Sequence, residues 1–207
     1  MAASLAGCCA PQYQQCRPAP VEKILREKIT KFDKVVKHDL VPQFKVAGVQ
    51  YPPKKIALLV FKAEQNMELW AQDDTEQWRY IRVFPILGAS GGPGPKLREG
   101  DRQVPEGVYN ISALNPLSHF DVSMRIDYPN LFDREQAKLD GRDQLGGDIY
   151  IHGGHFSIGC LAIGNHYAEE LFDLTYHVGT QNALVLIAPN DMRRAPPLER
   201  KIRPTWV

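Results

Sequence analysis

The stretch that decides the fold and suggests the chemistry is IYIHGGHFSIGC, residues 149–160. A β-rich run ends at His152, continues into a glycine loop and closes at Cys160, the only cysteine outside the N-terminal segment. Cysteine chemistry needs a thiolate, a group that takes the thiol proton, and backbone N–H groups that hold an oxyanion. Glycines let a loop present such N–H groups without a Cβ in the way. This one segment can supply all three.

The pattern resembles the L,D-transpeptidase catalytic domain, the YkuD-type family of bacterial cell-wall enzymes, whose signature is His-Gly followed by Ser/Thr-x-Gly-Cys. The resemblance covers roughly residues 54–189. It is closest to the branch in which a short loop separates His and Cys, which includes murein transpeptidase-like proteins and a hydrolase that detaches protein from peptidoglycan. Upstream of this stretch, the residues that match the family pattern are 94–96, 100–101, 105–109, 123–130 and 146–148.

Three positions depart from the family pattern. Ile158 stands where most members have a second histidine, and Leu161-Ala162 stands where an arginine or asparagine is usual. In the wider family these positions help to orient the loop or the carboxylate of the substrate. Val104 replaces a usual threonine, a change to which we assign no function.

The resemblance implies an α+β, β-rich fold: a mixed, sandwich-like sheet with two or three peripheral helices. The residue patterns agree with it. Phe120, Val122, Met124 and Ile126 alternate with polar residues, a period of two that predicts a strand with one face inward. Further strands are predicted at 56–61, 67–70, 78–86, 148–152 and 184–188, the last one fully buried, and helices at 131–139 and 165–177, with Asn165 as a cap.

Four zones follow along the chain: a leader (1–20), an amphipathic helix and linker (21–53), the catalytic domain (54–189) and a basic C-terminal tail (190–207). Apolar residues at helical spacing predict that the helix runs to about residue 39, and its mixed charges favour docking on the domain, or holding it off the membrane, over binding a lipid surface. Prolines mark residues 41–55 as the linker and suggest an extended, solvated tail. Leu5-Ala6-Gly7-Cys8 reads either as a lipoprotein cleavage site with Cys8 acylated or as an unstructured leader.

The composition of the chain limits the kinds of partner that it can bind. The net charge is +1, from 25 basic and 24 acidic residues, so a nucleic-acid binder is not indicated. No apolar run approaches the roughly 18 residues of a membrane-spanning helix. The resemblance implies a periplasmic place in the bacterial cell envelope, with peptidoglycan stem peptides as partners and a peptidoglycan-linked lipoprotein as a further candidate. Membrane attachment would come only through a lipid on Cys8.

The resemblance assigns Cys160 as the nucleophile and His152 as the group that takes and returns the proton, without a cofactor or metal. Ser157 and Gly159 belong to the loop that would hold the oxyanion. The implied function is a cysteine-dependent L,D-transpeptidase that works through a Cys acyl-enzyme in cell-wall remodelling. Secondary candidates for the site are His155, Gly153, Tyr128 and Asp148.

Three alternatives remain open. The same site could hydrolyse, as an amidase that cleaves peptide or lipoprotein from diaminopimelate. The chain could also be a wall-binding module with a degenerate site. A zinc site is the third alternative, because His152, His155 and Cys160 are residue types that bind zinc and lie close together in the sequence. His166 could supply a fourth ligand.

Overall fold

A computed structural model describes residues 19–197. The helices are α1 (Ala19–Asp39), α2 (Val41–Val46), α3 (Leu131–Leu139) and α4 (Asn165–Val178), with a 3-10 turn at Thr180–Asn182. The strands are β1 (Ile56–Phe61), β2 (Asn66–Gln72), β3 (Trp78–Pro85), β4 (Gly107–Ser118), β5 (Asp121–Ile126), β6 (Tyr150–His152), β7 (Leu161–Ala162) and β8 (Ala183–Ala188). None of the described helices is long and apolar enough to span a membrane.

The strands form one mixed sheet in the order β3-β2-β1-β8-β4-β5-β6-β7. Two pairs are parallel, β1 with β8 and β6 with β7, and the other neighbours are antiparallel. The predicted α+β class with a mixed sheet and peripheral helices is confirmed. The short β6 and β7 lie at one end of this sheet, and residues 153–160, the loop of the 149–160 stretch, connect them.

The N-terminal helix is part of the core. Leu25, Ile29, Phe32 and Val36 recur at helical spacing and are all buried. Phe32 packs edge-on against Phe172 of α4, with ring centroids 6.3 Å apart. The docking predicted for this helix is therefore present.

The prediction that residues 41–55 form a plain linker is wrong at its start. Residues Val41–Val46 are helical, because Pro42 lies in the first turn, where its missing N–H costs nothing. Phe44 is fully buried and its ring lies 5.2 Å from that of Tyr51. The segment after α1 thus contributes to the core.

Strand β5 begins one residue later than the alternation predicts. Phe120 lies before the strand and is 45% exposed, because the chain turns at Asp121 with a left-handed φ of +69°. Ser123, expected to face outward, is buried and pairs with His152 across β5 and β6.

Two other strand predictions need correction. Strand β6 starts at Tyr150 rather than Asp148, because Asp148 adopts a left-handed φ of +55°. Strand β8 alternates between buried and half-buried residues, so it is not fully buried as predicted.

The tail prediction is wrong for Arg193. Its guanidinium donates to Asp191 and to Glu68 of β2 and lies 5.0 Å from the ring centroid of Phe61. Residues 1–18 of the leader, including Cys8, and residues 198–207 of the tail lie outside the described residues, and Ala19 and Pro20, predicted as leader, belong to α1.

Candidate active site

The β6–β7 pair brings Cys160 and His152 together. The parallel register joins Ile151 to Leu161 and His152 to Ala162, so Cys160, directly before β7, falls beside Tyr150. Continuing that register by one residue places Cys160 opposite Tyr150, two residues before His152, so the alternation of strand side chains predicts that those of His152 and Cys160 face the same way. The glycine loop between them allows two strands that are so close in sequence to pair in parallel.

The imidazole of His152 is held in one tautomer. Its ring is buried and stacks on Phe120, with centroids 4.5 Å apart and 28° between the planes. Nδ1 lies 2.6 Å from the carbonyl oxygen of Gly153. A carbonyl can only accept a hydrogen bond, so Nδ1 carries the proton and Nε2 keeps its lone pair. Burial lowers the pKa of His152, which keeps the ring neutral at pH 7.

The thiol of Cys160 is half-buried and unoxidised. Its Sγ donates to the backbone carbonyl of Asp148 at 3.6 Å. Burial raises the pKa of Cys160, and a hydrogen bond from the backbone of Tyr150 only partly opposes that rise. The thiol is therefore protonated at neutral pH, and a base has to remove its proton before it can attack.

Two serine hydroxyls hold the loop before the cysteine. The N–H of Cys160 donates to Ser157 Oγ at 2.9 Å, and the N–H of Gly159 donates to Ser90 Oγ at 2.7 Å. Gly159 has a φ of +91°, which favours glycine. The two N–H groups expected to face an oxyanion thus already have hydroxyl acceptors. Ser90 lies in the loop between β3 and β4, and no feature of the sequence identifies it as a residue of the site.

The loop after His152 is anchored to the start of α4. The N–H of Gly154 donates to Asn165 Oδ1 at 2.7 Å. A Cβ added at Gly153 would lie 2.4 Å from the carbonyl oxygen of Phe120, so a side chain does not fit there. The prediction that Asn165 caps α4 is wrong: Gly164 is the N-cap, because the Asn165 side chain is used by Gly154.

The other residues that the sequence suggested for the site differ in how exposed they are. His155 is exposed on the loop. Tyr128 is buried, and its hydroxyl donates to the carbonyl of Lys96 at 3.2 Å, so it is chiefly a packing residue. The carboxylate of Asp148 is exposed and lies 3.3 Å from Arg125, while its carbonyl accepts from the Cys160 thiol.

A cavity of about 260 Å³ lies beside the loop and adjoins a second one of about 470 Å³, which no residue of 149–160 lines. The smaller one reaches Gly159 and Asp148 and carries two cations on its wall, Lys96 and Arg102. Lys96 is buried and paired with Asp101 at 2.6 Å. The Arg102 side chain is exposed and makes no hydrogen bond or ion pair with any residue in 19–197. Sequence reasoning missed Arg102, because the loop that carries it has no regular pattern.

The zinc alternative does not assemble. Within residues 19–197, one group of three or more His, Cys, Asp or Glu side chains brings its ligand atoms within 4.8 Å of one another, and its members are Asp39, His166 and Glu170. Neither His152 nor Cys160 belongs to it, and His166 points to a different cluster.

Comparisons with known proteins agree with this fold. Residues 55–187 match the model of the YkuD family, the L,D-transpeptidase catalytic domain. YafK of Escherichia coli, named as a candidate L,D-transpeptidase, is 34% identical over 119 residues in strain K12 and equally so in O157:H7. That match covers 56% of this chain and 46% of YafK, so the chain spans about half the length of these relatives.

Among solved structures, the helical cell shape determining protein Pgp2 of Campylobacter jejuni superposes with a TM-score of 0.53 and 20% identity, covering 81% of this chain and 56% of Pgp2. This likeness shows a shared fold. The family match extends over most of the sheet and includes the whole 149–160 stretch. The chain therefore belongs to the YkuD family of L,D-transpeptidase catalytic domains.

Proposed function

We propose that the chain is a cysteine-dependent L,D-transpeptidase that acts on peptidoglycan stem peptides through an acyl-enzyme on Cys160. The observation that carries this proposal is the state of His152: a buried, neutral imidazole whose Nδ1 is held by the Gly153 carbonyl, on the same face as the Cys160 thiol. Such a group is a general base with Nε2 free to accept a proton.

The reaction begins when Nε2 of His152 takes the proton from Sγ of Cys160 and the sulfur attacks a peptide carbonyl. The backbone hydrogen bond from Tyr150 favours the thiolate that forms. As the tetrahedral intermediate collapses, the C–N bond breaks and His152 returns the proton to the leaving amine. A thioester on Cys160 results, which an amine or water then cleaves.

The oxyanion would be held by the N–H groups of Gly159 and Cys160. Both now donate to serine hydroxyls, Ser90 and Ser157, at 2.7 and 2.9 Å. A negatively charged oxygen is a stronger acceptor than a hydroxyl, so it competes for these donors as charge develops. The hydroxyls keep the N–H groups in place before the substrate arrives.

Arg102 is the residue that we propose for recognition of a substrate carboxylate. Most family members carry a cationic or amide side chain shortly after the cysteine, but this chain has Leu161 and Ala162 there. Both are fully buried and so cannot contact a substrate. Arg102 lines the cavity that reaches Gly159, and its guanidinium is available for a paired carboxylate. Stem peptides carry such carboxylates, and the reaction belongs in the bacterial cell envelope.

Hydrolysis is the second candidate, and the burial of Leu161 and Ala162 favours it. These positions offer no polar group to orient an incoming amine. Water would then capture the same Cys160 thioester, which gives an amidase that cleaves peptide, or a linked lipoprotein, from diaminopimelate.

The test is incubation of the full chain with muropeptides in ¹⁸O-labelled water, followed by mass spectrometry. New cross-links or exchanged amino acids without ¹⁸O indicate transpeptidation, and released fragments with one ¹⁸O indicate hydrolysis. Both products have to vanish in Cys160→Ala. Product formation that survives this substitution contradicts the thioester mechanism, and the absence of any product leaves a wall-binding module as the better account.

A further inference from the structure

Three metal-ligand side chains meet where the end of α1 passes the first turn of α4, away from the thiol. Asp39 is the last residue of α1, and His166 and Glu170 lie one turn apart on α4. Nε2 of His166 is 3.2 Å from Asp39 Oδ2 and 3.1 Å from Glu170 Oε1. All three ligand atoms lie within 4.8 Å of one another.

The three side chains do not satisfy one another. A ring nitrogen carries at most one hydrogen, so Nε2 of His166 cannot donate a well-aligned bond to two carboxylates. Glu170 is fully buried, and its Oε1, although 3.1 Å from His166 Nε2, accepts no hydrogen bond of acceptable geometry from any residue in 19–197. A buried carboxylate oxygen without a donor is costly, and burial accordingly raises the pKa of Glu170. The centre of the cluster lacks a positive charge that all three atoms can share.

The separations match the coordination shell of a small dication. Zn²⁺ binds nitrogen and carboxylate oxygen at about 2.0–2.2 Å, which places neighbouring ligand atoms about 3.0–3.6 Å apart in octahedral or tetrahedral geometry. The two distances from His166 Nε2, 3.2 and 3.1 Å, fall in this range. The third separation, between the carboxylate oxygens of Asp39 and Glu170, is at most 4.8 Å, so a single ion could contact all three side chains after they move closer together.

Neighbouring groups already orient both carboxylates. Arg82 donates through Nη1 to Glu170 Oε2 at 2.8 Å, which leaves Oε1 toward the cluster. His38 lies against Asp39 Oδ1, which leaves Oδ2 toward His166. Metal-binding carboxylates are commonly held in this way through their second oxygen.

We propose that Asp39, His166 and Glu170 bind a divalent transition cation, with Zn²⁺ as the best match. One imidazole and two carboxylates are a ligand set that suits Zn²⁺ better than Mg²⁺ or Ca²⁺, which prefer oxygen alone. The ion would clasp α1 to the start of α4, next to Asn165, which anchors the loop at Gly154. The site rests on its own geometry and is independent of the function proposed for Cys160.

The experiment is calorimetric titration of the full, chelator-treated chain with ZnCl₂, together with thermal unfolding with and without the metal. The thiols of Cys8, Cys9 and Cys16 could also bind Zn²⁺, so a second background replaces all three with serine. Asp39→Asn, His166→Ala and Glu170→Gln remove one ligand each. Asp39 and His166 are partly exposed, so their variants should fold even if Glu170→Gln does not. His177→Ala is the matched control, because His177 faces Asp173 on the same helix, one turn apart, without a third ligand.

We expect one Zn²⁺ per chain in the serine background and a saturable rise in melting temperature. Each ligand variant should weaken the affinity by at least about tenfold, whereas His177→Ala and Cys160→Ala leave it unchanged. The absence of saturable binding in the serine background overturns the site. So does binding that is lost in Cys160→Ala but kept in His166→Ala, because it would place the ion at the thiol.

Discussion

At Cys160 and His152, burial acts on two titratable groups in opposite senses. It raises the pKa of the thiol and lowers the pKa of the imidazole, so both groups are neutral at pH 7. In the proposed reaction, the thiolate and the imidazolium therefore form only when a substrate is attacked.

Alkylation of Cys160 by iodoacetamide should therefore depend steeply on pH. Only the thiolate reacts, and burial raises the thiol pKa, so the rate should rise with pH through a midpoint above the ordinary value of about 8.5. Peptide mapping separates Cys160 from Cys8, Cys9 and Cys16, which serve as internal references. A plateau already reached at pH 7 would mean a preformed ion pair with His152.

Substitution of Arg102 should affect substrate binding more than chemistry. Arg102→Gln removes a cation that lines the cavity beside Gly159, and we expect KM to rise about tenfold with little change in kcat. Steady-state kinetics with a stem-peptide substrate measure both constants. Arg98→Gln, on the same loop and outside that cavity, is the control and should behave as the parent chain does. A fall in kcat alone would place Arg102 in the chemical step.

At the scale of elements, the site depends on the short β6–β7 pair and on the segments packed around its loop. A methyl group at Gly153 would lie 2.4 Å from the Phe120 carbonyl and 2.5 Å from Asn165 Oδ1. Gly153→Ala should reduce the free energy of unfolding by about 1–3 kcal/mol and reduce turnover, since it displaces the Gly153 carbonyl that holds His152. Denaturant titration and kinetics measure the two effects.

Gly92→Ala is the matched control, because a Cβ there has no heavy atom within 4 Å. It should leave both stability and turnover close to those of the parent chain. If Gly153→Ala were equally harmless, the close packing of the loop against β5 and α4 would not be needed to position His152.

The N-terminal helix should contribute strongly to stability. Phe32 is fully buried between α1 and α4, so Phe32→Ala should cost about 3–5 kcal/mol of unfolding free energy. Lys34→Ala, exposed on the same helix, should change it little. Thermal or denaturant unfolding followed by circular dichroism provides the comparison. A small loss for Phe32→Ala would mean that α1 is a loosely attached extension.

Helices and strands with a strong period were predictable from sequence. The apolar spacing of α1 identifies that helix, and α3 lies at the predicted residues 131–139. The structure adds that Asn130 caps α3 in a capping box with Asp133, a signal that the prediction did not use. Phe120 was misplaced because a left-handed turn at Asp121, which alternation cannot reveal, ends the pattern. Phe44 was missed because proline was read as a linker signal, although proline also starts helices.

On the scale of the whole molecule, one hydrophobic core extends from α1 through the sheet to α4. The family match starts at residue 55, so α1 and α2 are packed on the domain from outside the matched region. The same packing brings Asp39 to the start of α4, where the cation site is proposed. The start of α4 therefore contacts both the end of α1, through His166, and the loop after His152, through Asn165.

The sequence was sufficient to propose His152 and Cys160 as the reactive pair, because both lie in one short motif. It could not find Ser90 or Arg102, which reach the site from a loop without periodicity. Nor could it show what orients His152, since a backbone carbonyl leaves no trace in the residue types. Contacts between distant segments are set by the fold, and side-chain patterns alone do not report them.

The most direct test of the central claim is mass spectrometry of the intact chain, quenched with acid during turnover of a stem-peptide fragment. We predict an acyl adduct that peptide mapping assigns to Cys160. The adduct should be absent in Cys160→Ala, form at least about a hundredfold more slowly in His152→Ala, and form normally in His155→Ala. An adduct on another residue, or turnover that persists in Cys160→Ala, would contradict the account.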